Sequence, residues 1–267
     1  MLTDRIAVIT GASAGIGEAI ARDFVAQNAV CVLNARRKDR LAACVRELGV
    51  EDAVGVAGDC CDERVIDSMI AAAASDTLGP KGRGADLVVI NAGRGLGGSP
   101  LTSDPAQWDE MIRTNYIGAA RLIRAASKSM LAEMERELGA RAAQPGAHLL
   151  SRPRDIVVIG STVGRHISPF SSMYGSTKFA VHALGEAARR ELGPRGIRVS
   201  LIEPGFVESE FQGVAGYDPK WFEEVKGKIG PVLRPTDVAR LVTFVVSQPA
   251  HVHVSDALIR PTRQDYP

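Results

Sequence analysis

Arg5-Ile6-Ala7-Val8-Ile9-Thr10-Gly11-Ala12-Ser13-Ala14-Gly15-Ile16-Gly17 is the stretch around which the rest of the chain is organised. A short apolar run gives way at once to glycines and then to Glu18-Ala19-Ile20-Ala21-Arg22, so the order is strand, tight turn, helix. That order suits a dinucleotide pyrophosphate. Small residues let the backbone approach the anion, and the free N–H groups at the helix start, with the positive end of its dipole, attract it. The spacing is Gly-x-x-x-Gly-x-Gly rather than Gly-x-Gly-x-x-Gly, and a glycine loop alone equally fits a turn needing positive φ. Position favours the cofactor reading, because the loop follows a strand and opens a helix. Gly11, Ser13, Gly15, Ile16 and Gly17 are the candidate contacts.

Length and composition bound the rest. A chain of 267 residues, 45% of them hydrophobic, suits one large α/β domain over 1–267 better than two small ones. Its net charge of +1 offers nothing to nucleic acid or to an acidic membrane surface. Strand character begins at Ile6 and no apolar run approaches a membrane span, so the expectation is a cytoplasmic protein without a signal peptide. Cys31, Cys44, Cys60 and Cys61 lack metal-ligand spacing and read as reduced structural thiols, with no metal expected.

Taken in order, the chain alternates. Strands are expected at 30–34, 53–57, 87–90, 156–159, 198–203 and 257–260, and helices at 16–27, 41–48, 62–78, 108–137 and 171–192. Continuous apolar strands between amphipathic helices are what a parallel sheet covered on both faces requires. Right-handed crossovers then leave a doubly wound sheet of about seven strands as the economical topology.

The end of the second strand is where a dinucleotide site declares its preference. A carboxylate there would accept from a ribose 2′-hydroxyl, whereas arginine would pair with a 2′-phosphate. The position that would carry the acid is Ala35, and Arg36 and Arg37 follow, so NADP(H) is expected over NAD(H); the bland alternative is a solvated basic turn. Asp59 is placed to accept from the adenine amino group with Cys60 beside it, or else to satisfy local N–H groups in a turn. Asn91-Ala92-Gly93 offers small side chains where the cofactor must pass, or simply ends a strand.

The chemistry falls in the second half. Ser161 follows the fifth strand, and Tyr174-Gly175-Ser176-Thr177-Lys178 follows it. On a helix, Tyr174 and Lys178 share one face, a turn apart. A phenol of pKa about 10 is a poor base at neutral pH, and a nearby ammonium favours its ionised form. Hydride transfer to a carbonyl carbon needs a matching proton at the oxygen, so a hydroxyl donor (Ser161) and an acid/base (Tyr174) are the minimal equipment. Singly, Tyr-x-x-x-Lys also fits an amphipathic surface pair.

Together these motifs resemble the short-chain dehydrogenase/reductase family over essentially the whole chain: Thr10-Gly11-x-x-x-Gly15-Ile16-Gly17, Asn91-Ala92-Gly93, Asn115, Ser161, Tyr174-x-x-x-Lys178 and Pro204-Gly205. The resemblance implies a Rossmann fold. It also implies that Ser161 orients the substrate oxygen, Tyr174 transfers the proton, Lys178 holds the nicotinamide ribose, and Asn115 anchors a water linking Lys178 to solvent. Ala35-Arg36-Arg37 and the tail from Pro249 to Thr262 resemble the NADP-dependent branch that includes 3-hydroxy acid and serine dehydrogenases and clavulanate-type aldehyde reductases. In such relatives the residues after Pro204-Gly205 close over the nicotinamide; here Val207 and Ser209 fall in that segment, with serine where threonine is usual.

Beyond it, Phe211, Tyr217, Trp221 and Phe222 accompany Asp218-Pro219, an N-cap and first-turn proline that predict a short helix to about Lys228. Residues 206–230 read as a lid over an apolar substrate, or as core or subunit contacts. An exposed insertion is expected near 138–154. The family implies a homodimer or homotetramer built on the helices of Asn115 and Tyr174. The function expected is reduction of an aldehyde or ketone, or oxidation of a hydroxy acid or alcohol. Reduction of 3-oxoacyl groups, sugar or steroid oxidoreduction, and a non-catalytic NADP(H)-binding redox sensor remain as alternatives.

Overall fold

Alternating side chains give the sheet two covered faces. The computed structural model describes residues 2–75, 78, 83–139, 152–166 and 168–265. Strands β1 (Ile6–Thr10), β2 (Val30–Ala35), β3 (Ala53–Ala57), β4 (Leu87–Ile90), β5 (Arg154–Ile159), β6 (Ile197–Pro204) and β7 (Asp256–Ile259) form one sheet in the order β3-β2-β1-β4-β5-β6-β7. Every pairing is parallel. In β1, Ala7 and Ile9 face one apolar layer while Ile6 and Val8 face the other, so the strand is buried on both sides, as its unbroken apolar run requires.

Helices α1 (Gly15–Ala26) and α2 (Lys38–Leu48) cover the first face; α3 (Glu63–Ala73), α5 (Ala119–Leu138) and α6 (Ser172–Leu192) cover the second. Between α3 and α5 stands the short α4 (Trp108–Ile112). Two differences from the sequence expectation matter. The single helix expected over 108–137 is interrupted by a π-helical turn at Arg113–Gly118, which contains Asn115. The third helix ends at Ala73 rather than 78, its start fixed by Asp62, whose carboxylate accepts from Arg64 N (2.9 Å).

Past β6 lie α7 (Phe211–Val214), α8 (Pro219–Ile229) and α9 (Pro235–Val246). The expected helix after Asp218-Pro219 forms, with the Asp218 carboxylate accepting from Lys220 N at 2.7 Å. Helix α9 was not anticipated. Pro235 opens it, Asp237 accepts from Arg234 N (2.7 Å), and Val238, Val242 and Val245 form the stripe that packs beside α1. Residues 140–151, most of the insertion expected near 138–154, lie outside the described residues; its far flank is anchored where Arg154 donates to Glu137 (2.6 Å).

Candidate active site

Where strand order reverses between β1 and β4, the carboxyl ends of the strands leave a crevice. It is a cleft of about 1080 Å³. Gly11 and Gly15 hold positive φ (+68° and +60°), and a Cβ on Gly17 would lie 2.4 Å from the Gly11 carbonyl oxygen, so these positions admit only glycine without strain. Ala14 precedes α1 without any side-chain cap, which leaves the first N–H groups of that helix available to an anion. That uncapped terminus beside a turn of small residues fits a pyrophosphate. Asn91 turns out to brace the loop: its Nδ2 donates to the carbonyls of Thr10 (2.9 Å) and Gly11 (3.3 Å). The N–H groups of Asn91 and Ala92 both reach Thr10 Oγ1 at 3.1 Å.

At the far end of the crevice the arginines are held by carboxylates. Arg36 donates to Glu110 Oε1 (2.8 Å), and Arg37 to Glu210 Oε2 (2.8 Å) and Ser13 Oγ (3.5 Å). Arg40 reaches the other Glu210 oxygen at 2.5 Å. These hydrogen bonds hold both Glu210 and Glu110 below the usual carboxylate range. Asp59 lines the cleft beside Cys60. Its Oδ1 accepts from Cys61 N (2.9 Å) and its Oδ2 from Arg113 (3.3 Å), so the local-turn role is real. The donor atoms of Asp59, Cys60 and Cys61 lie within 4.8 Å of one another, closer than the sequence spacing suggested. Cys61 nonetheless uses its thiol to donate to the Arg113 carbonyl (3.2 Å). All four cysteines are free thiols.

The opposite end gathers Ser161, Tyr174 and Lys178. Ser161 follows β5; its hydroxyl accepts from Val163 N at 3.4 Å and acts on the nearby Tyr174 phenol. Tyr174 is 7% exposed and Lys178 7%. The Lys178 Nζ lies 5.8 Å from the Tyr174 ring centroid and donates to the Ile159 carbonyl at 2.8 Å. Burial pulls Lys178 down to about 8. It pushes the Tyr174 phenol above its ordinary value, with the neighbouring Tyr217 acting in the same direction and only Ser161 acting against it. The expectation that Lys178 lowers the phenol is therefore corrected: in the chain alone, desolvation wins.

Asn115 stands behind this group rather than in the cleft. Its Oδ1 accepts from Arg94 N (2.7 Å), and its Nδ2 donates to Arg94 O (2.8 Å) and Thr177 Oγ1 (2.9 Å). The side chain thus pins the 93–94 loop to α6 next to Lys178. Of the residues selected from the sequence, Asn115 and Gly17 are the two that do not line the cleft; Ile16, Gly93, Pro204, Gly205, Val207 and Ser209 all do. Ser209 Oγ accepts from Phe211 N (3.3 Å), and Phe211 stacks 5.5 Å from Tyr174.

A family profile described as short chain dehydrogenase matches residues 5–219. The chain belongs to the short-chain dehydrogenase family. An uncharacterized oxidoreductase of Staphylococcus aureus (strain MW2) is 31% identical over 261 residues, covering 98% of this chain and 99% of the relative. Among solved structures, the closed form of serine dehydrogenase complexed with NADP+ is similar at 30% identity and a TM-score of 0.82, covering 98% and 96% of the two chains. The 3-ketoacyl-(acyl-carrier-protein) reductase from Brucella melitensis complexed with NADH gives 26%, 0.79, 98% and 99%. No helix among the described residues of this short-chain dehydrogenase is long and apolar enough to cross a membrane.

Three residues of this short-chain dehydrogenase were missed in the sequence. Glu110 and Glu210 come from distant segments, and nothing local marks them as arginine partners. His182, one turn after Lys178, accepts the Ser161 N–H at Nε2 (3.3 Å) and lies with Nδ1 3.9 Å from buried Glu203. Burial and the nearby Lys178 draw its pKa down to about 4. A Cβ on Gly160 or Gly164 would come within 2.3 Å of its ring, so those glycines were the available signal.

Proposed function

We propose that this short-chain dehydrogenase interconverts a carbonyl compound and its alcohol with NADP(H), Tyr174 serving as the general acid/base. The observation that carries this reading is Ser161 beside the buried Tyr174 phenol, with Lys178, also buried, one helical turn away. When bound, the nicotinamide supplies or accepts the hydride at the substrate carbon. Ser161 donates a hydrogen bond to the substrate oxygen. In reduction, the Tyr174 phenol gives its proton to that oxygen as it gains alkoxide character; a phenol kept neutral by burial holds the proton until so strong a base is present. In oxidation the phenolate is needed, and burial opposes it in the chain alone; the Lys178 ammonium, charged below about 8, would act against that desolvation.

Gly11, Gly15 and the α1 terminus would hold the pyrophosphate, and Arg36 and Arg37 the 2′-phosphate. Since similar structures carry NADP+ in one case and NADH in another, the preference for NADP(H) rests on this chain's own arginines and on Ala35, where no acid repels the phosphate. Residues 1–267 act as one domain in this reading, with 206–230 as a lid, a role supported by Phe211 against Tyr174. Ile112, Ile117 and Phe179, apolar and exposed on the two long helical segments, support a homodimer or homotetramer.

Tyr174→Phe tests the core of the reading. Turnover falls by about 10³-fold, while NADPH binding, followed by its fluorescence, stays within a factor of about two. Retained turnover would remove Tyr174 from the chemistry.

A further inference from the structure

Beside the reacting group, the cleft carries an unbroken series of aromatic rings. From Tyr174 the centroids run to Phe211 (5.5 Å), from Phe211 to Tyr217 (6.5 Å), from Tyr217 to Trp221 (5.5 Å) and from Trp221 to Phe206 (6.3 Å). The two contacts of Tyr217 meet at 76° and 73°, the edge-to-face geometry that aromatic rings prefer, and the other two are tilted. All five line the cleft.

The backbone is arranged to admit them. A Cβ on Gly95 would stand 2.4 Å from Phe211 Cζ, so the ring sits where only glycine leaves room. Gly97 N donates to the Ala215 carbonyl at 2.9 Å, tying the ring-bearing segment to the loop after β4. The Tyr217 ring packs between Phe211 and Trp221. Yet the series is not closed over as a core would be. Trp221 remains 39% exposed and Phe170, on the same cleft, 74% exposed, so apolar area is left for a ligand to cover.

Charge points the same way. A carboxylate-bearing substrate needs a cation near the reacting carbon. Lys178 is engaged with the Ile159 carbonyl. Arg94 has its two terminal nitrogens on Glu110 and on Gln107 (2.5 Å). Arg36 and Arg37 stand at the nucleotide end with Glu110 and Glu210, and Lys228 is on the exposed rim.

We infer that Phe211, Tyr217 and Trp221 form a subsite for an uncharged carbonyl compound bearing an aryl group or one of similar bulk, rather than for a small hydroxy acid. The inference rests on the proposed hydride transfer at Tyr174. In reduction, the carbonyl carbon gains the hydride and its oxygen the Tyr174 proton, NADPH becomes NADP+, and one proton from water restores the phenol.

The test compares benzylacetone, butanone and succinic semialdehyde as oxidants of NADPH. The kcat/KM for benzylacetone exceeds both others by about tenfold or more, the value of one buried ring. Phe211→Ala and Tyr217→Ala bring the ratios toward one, whereas Tyr217→Phe, which keeps the ring, retains them. A second readout needs no turnover: the alcohol of benzylacetone, added to the protein with NADPH, quenches tryptophan emission saturably, and Trp221→Phe loses that quench. Succinic semialdehyde matching benzylacetone, or a quench unchanged in Trp221→Phe, would overturn the subsite. Saturable Trp221-dependent quenching with no carbonyl reduced would keep the subsite and overturn the hydride-transfer reading.

Discussion

Asp155 and Lys178 are charged groups 1% and 7% exposed, at opposite ends of the same sheet, and they have been given opposite surroundings. At the amino ends of the strands Asp155 accepts from Arg198 Nε (2.7 Å) and Nη2 (2.9 Å) and from Arg5 (2.8 Å). Asp86 beside it takes Arg5 Nε at 2.6 Å and Arg83 at 3.1 Å. Arg198 also donates to the carbonyls of Val246, Gln248, Pro249 and Val252, which close the end of α9. Here each carboxylate oxygen meets a guanidinium and the network closes on itself. At the carboxyl ends, Lys178 has one carbonyl partner and otherwise looks into a cleft. Buried charge is thus no sign of chemistry by itself; what separates structure from site is whether the partners are supplied by the chain or left for a ligand.

That contrast can be broken by mutation. Asp155→Ala should have the largest effect on stability, because it strands Arg198 without a counterion and leaves Arg5 to Asp86 alone; a loss of about 3–5 kcal/mol is expected. Chemical denaturation measures it, and kcat of the folded fraction should hold. Next comes the pair Arg36→Ala and Arg37→Ala, made together: NADPH affinity by calorimetry drops about 10- to 100-fold with NADH affinity nearly unchanged and stability intact. An equal loss for both cofactors would place these arginines with the structural charges.

His182 sharpens the comparison through pH. Its folded pKa of about 4 lies below the ordinary 6.5, so the unfolded chain takes up the proton first as pH falls. Its contribution is therefore fully present above pH 6.5 and is lost progressively as pH drops toward 4. His182→Gln keeps an acceptor for the Ser161 N–H but cannot titrate, and it should flatten the stability profile across that window. The smallest effect belongs to Glu210→Gln. Removing the carboxylate that holds Arg37 and Arg40 should tighten binding of 2′,5′-ADP by no more than about fivefold, as befits an exposed pair, with 5′-AMP unaffected.

Much of the cleft was legible because its parts are local. Thirteen consecutive residues encode β1, the glycine turn and the start of α1, and Tyr174 and Lys178 share one helical face. The lower network left no such trace: Arg5 and Asp86 come just before β1 and β4, Asp155 and Arg198 lie at the starts of β5 and β6, and only sheet register brings them together. Asp155 and Arg198 are register partners across β5 and β6, a relation between residues 43 apart. The π-helical turn escaped for a similar reason, since its wide geometry is fixed by what Asn115 and Cys61 touch, not by periodicity. Helix α9 is different. Its proline, capping aspartate and valine stripe were all readable, and its packing against α1 follows from them.

One carboxylate from the account of the cleft has a wider reach. Glu110 gives one oxygen to Arg36, at the nucleotide end, and the other to Arg94, whose backbone is held by Asn115 next to the Lys178 helix. A phosphate that draws Arg36 away leaves Glu110 to Arg94 alone. The two walls therefore share a counterion, so that on the proposed NADP(H) reading filling one end of the groove would leave a stronger Glu110–Arg94 pair at the other.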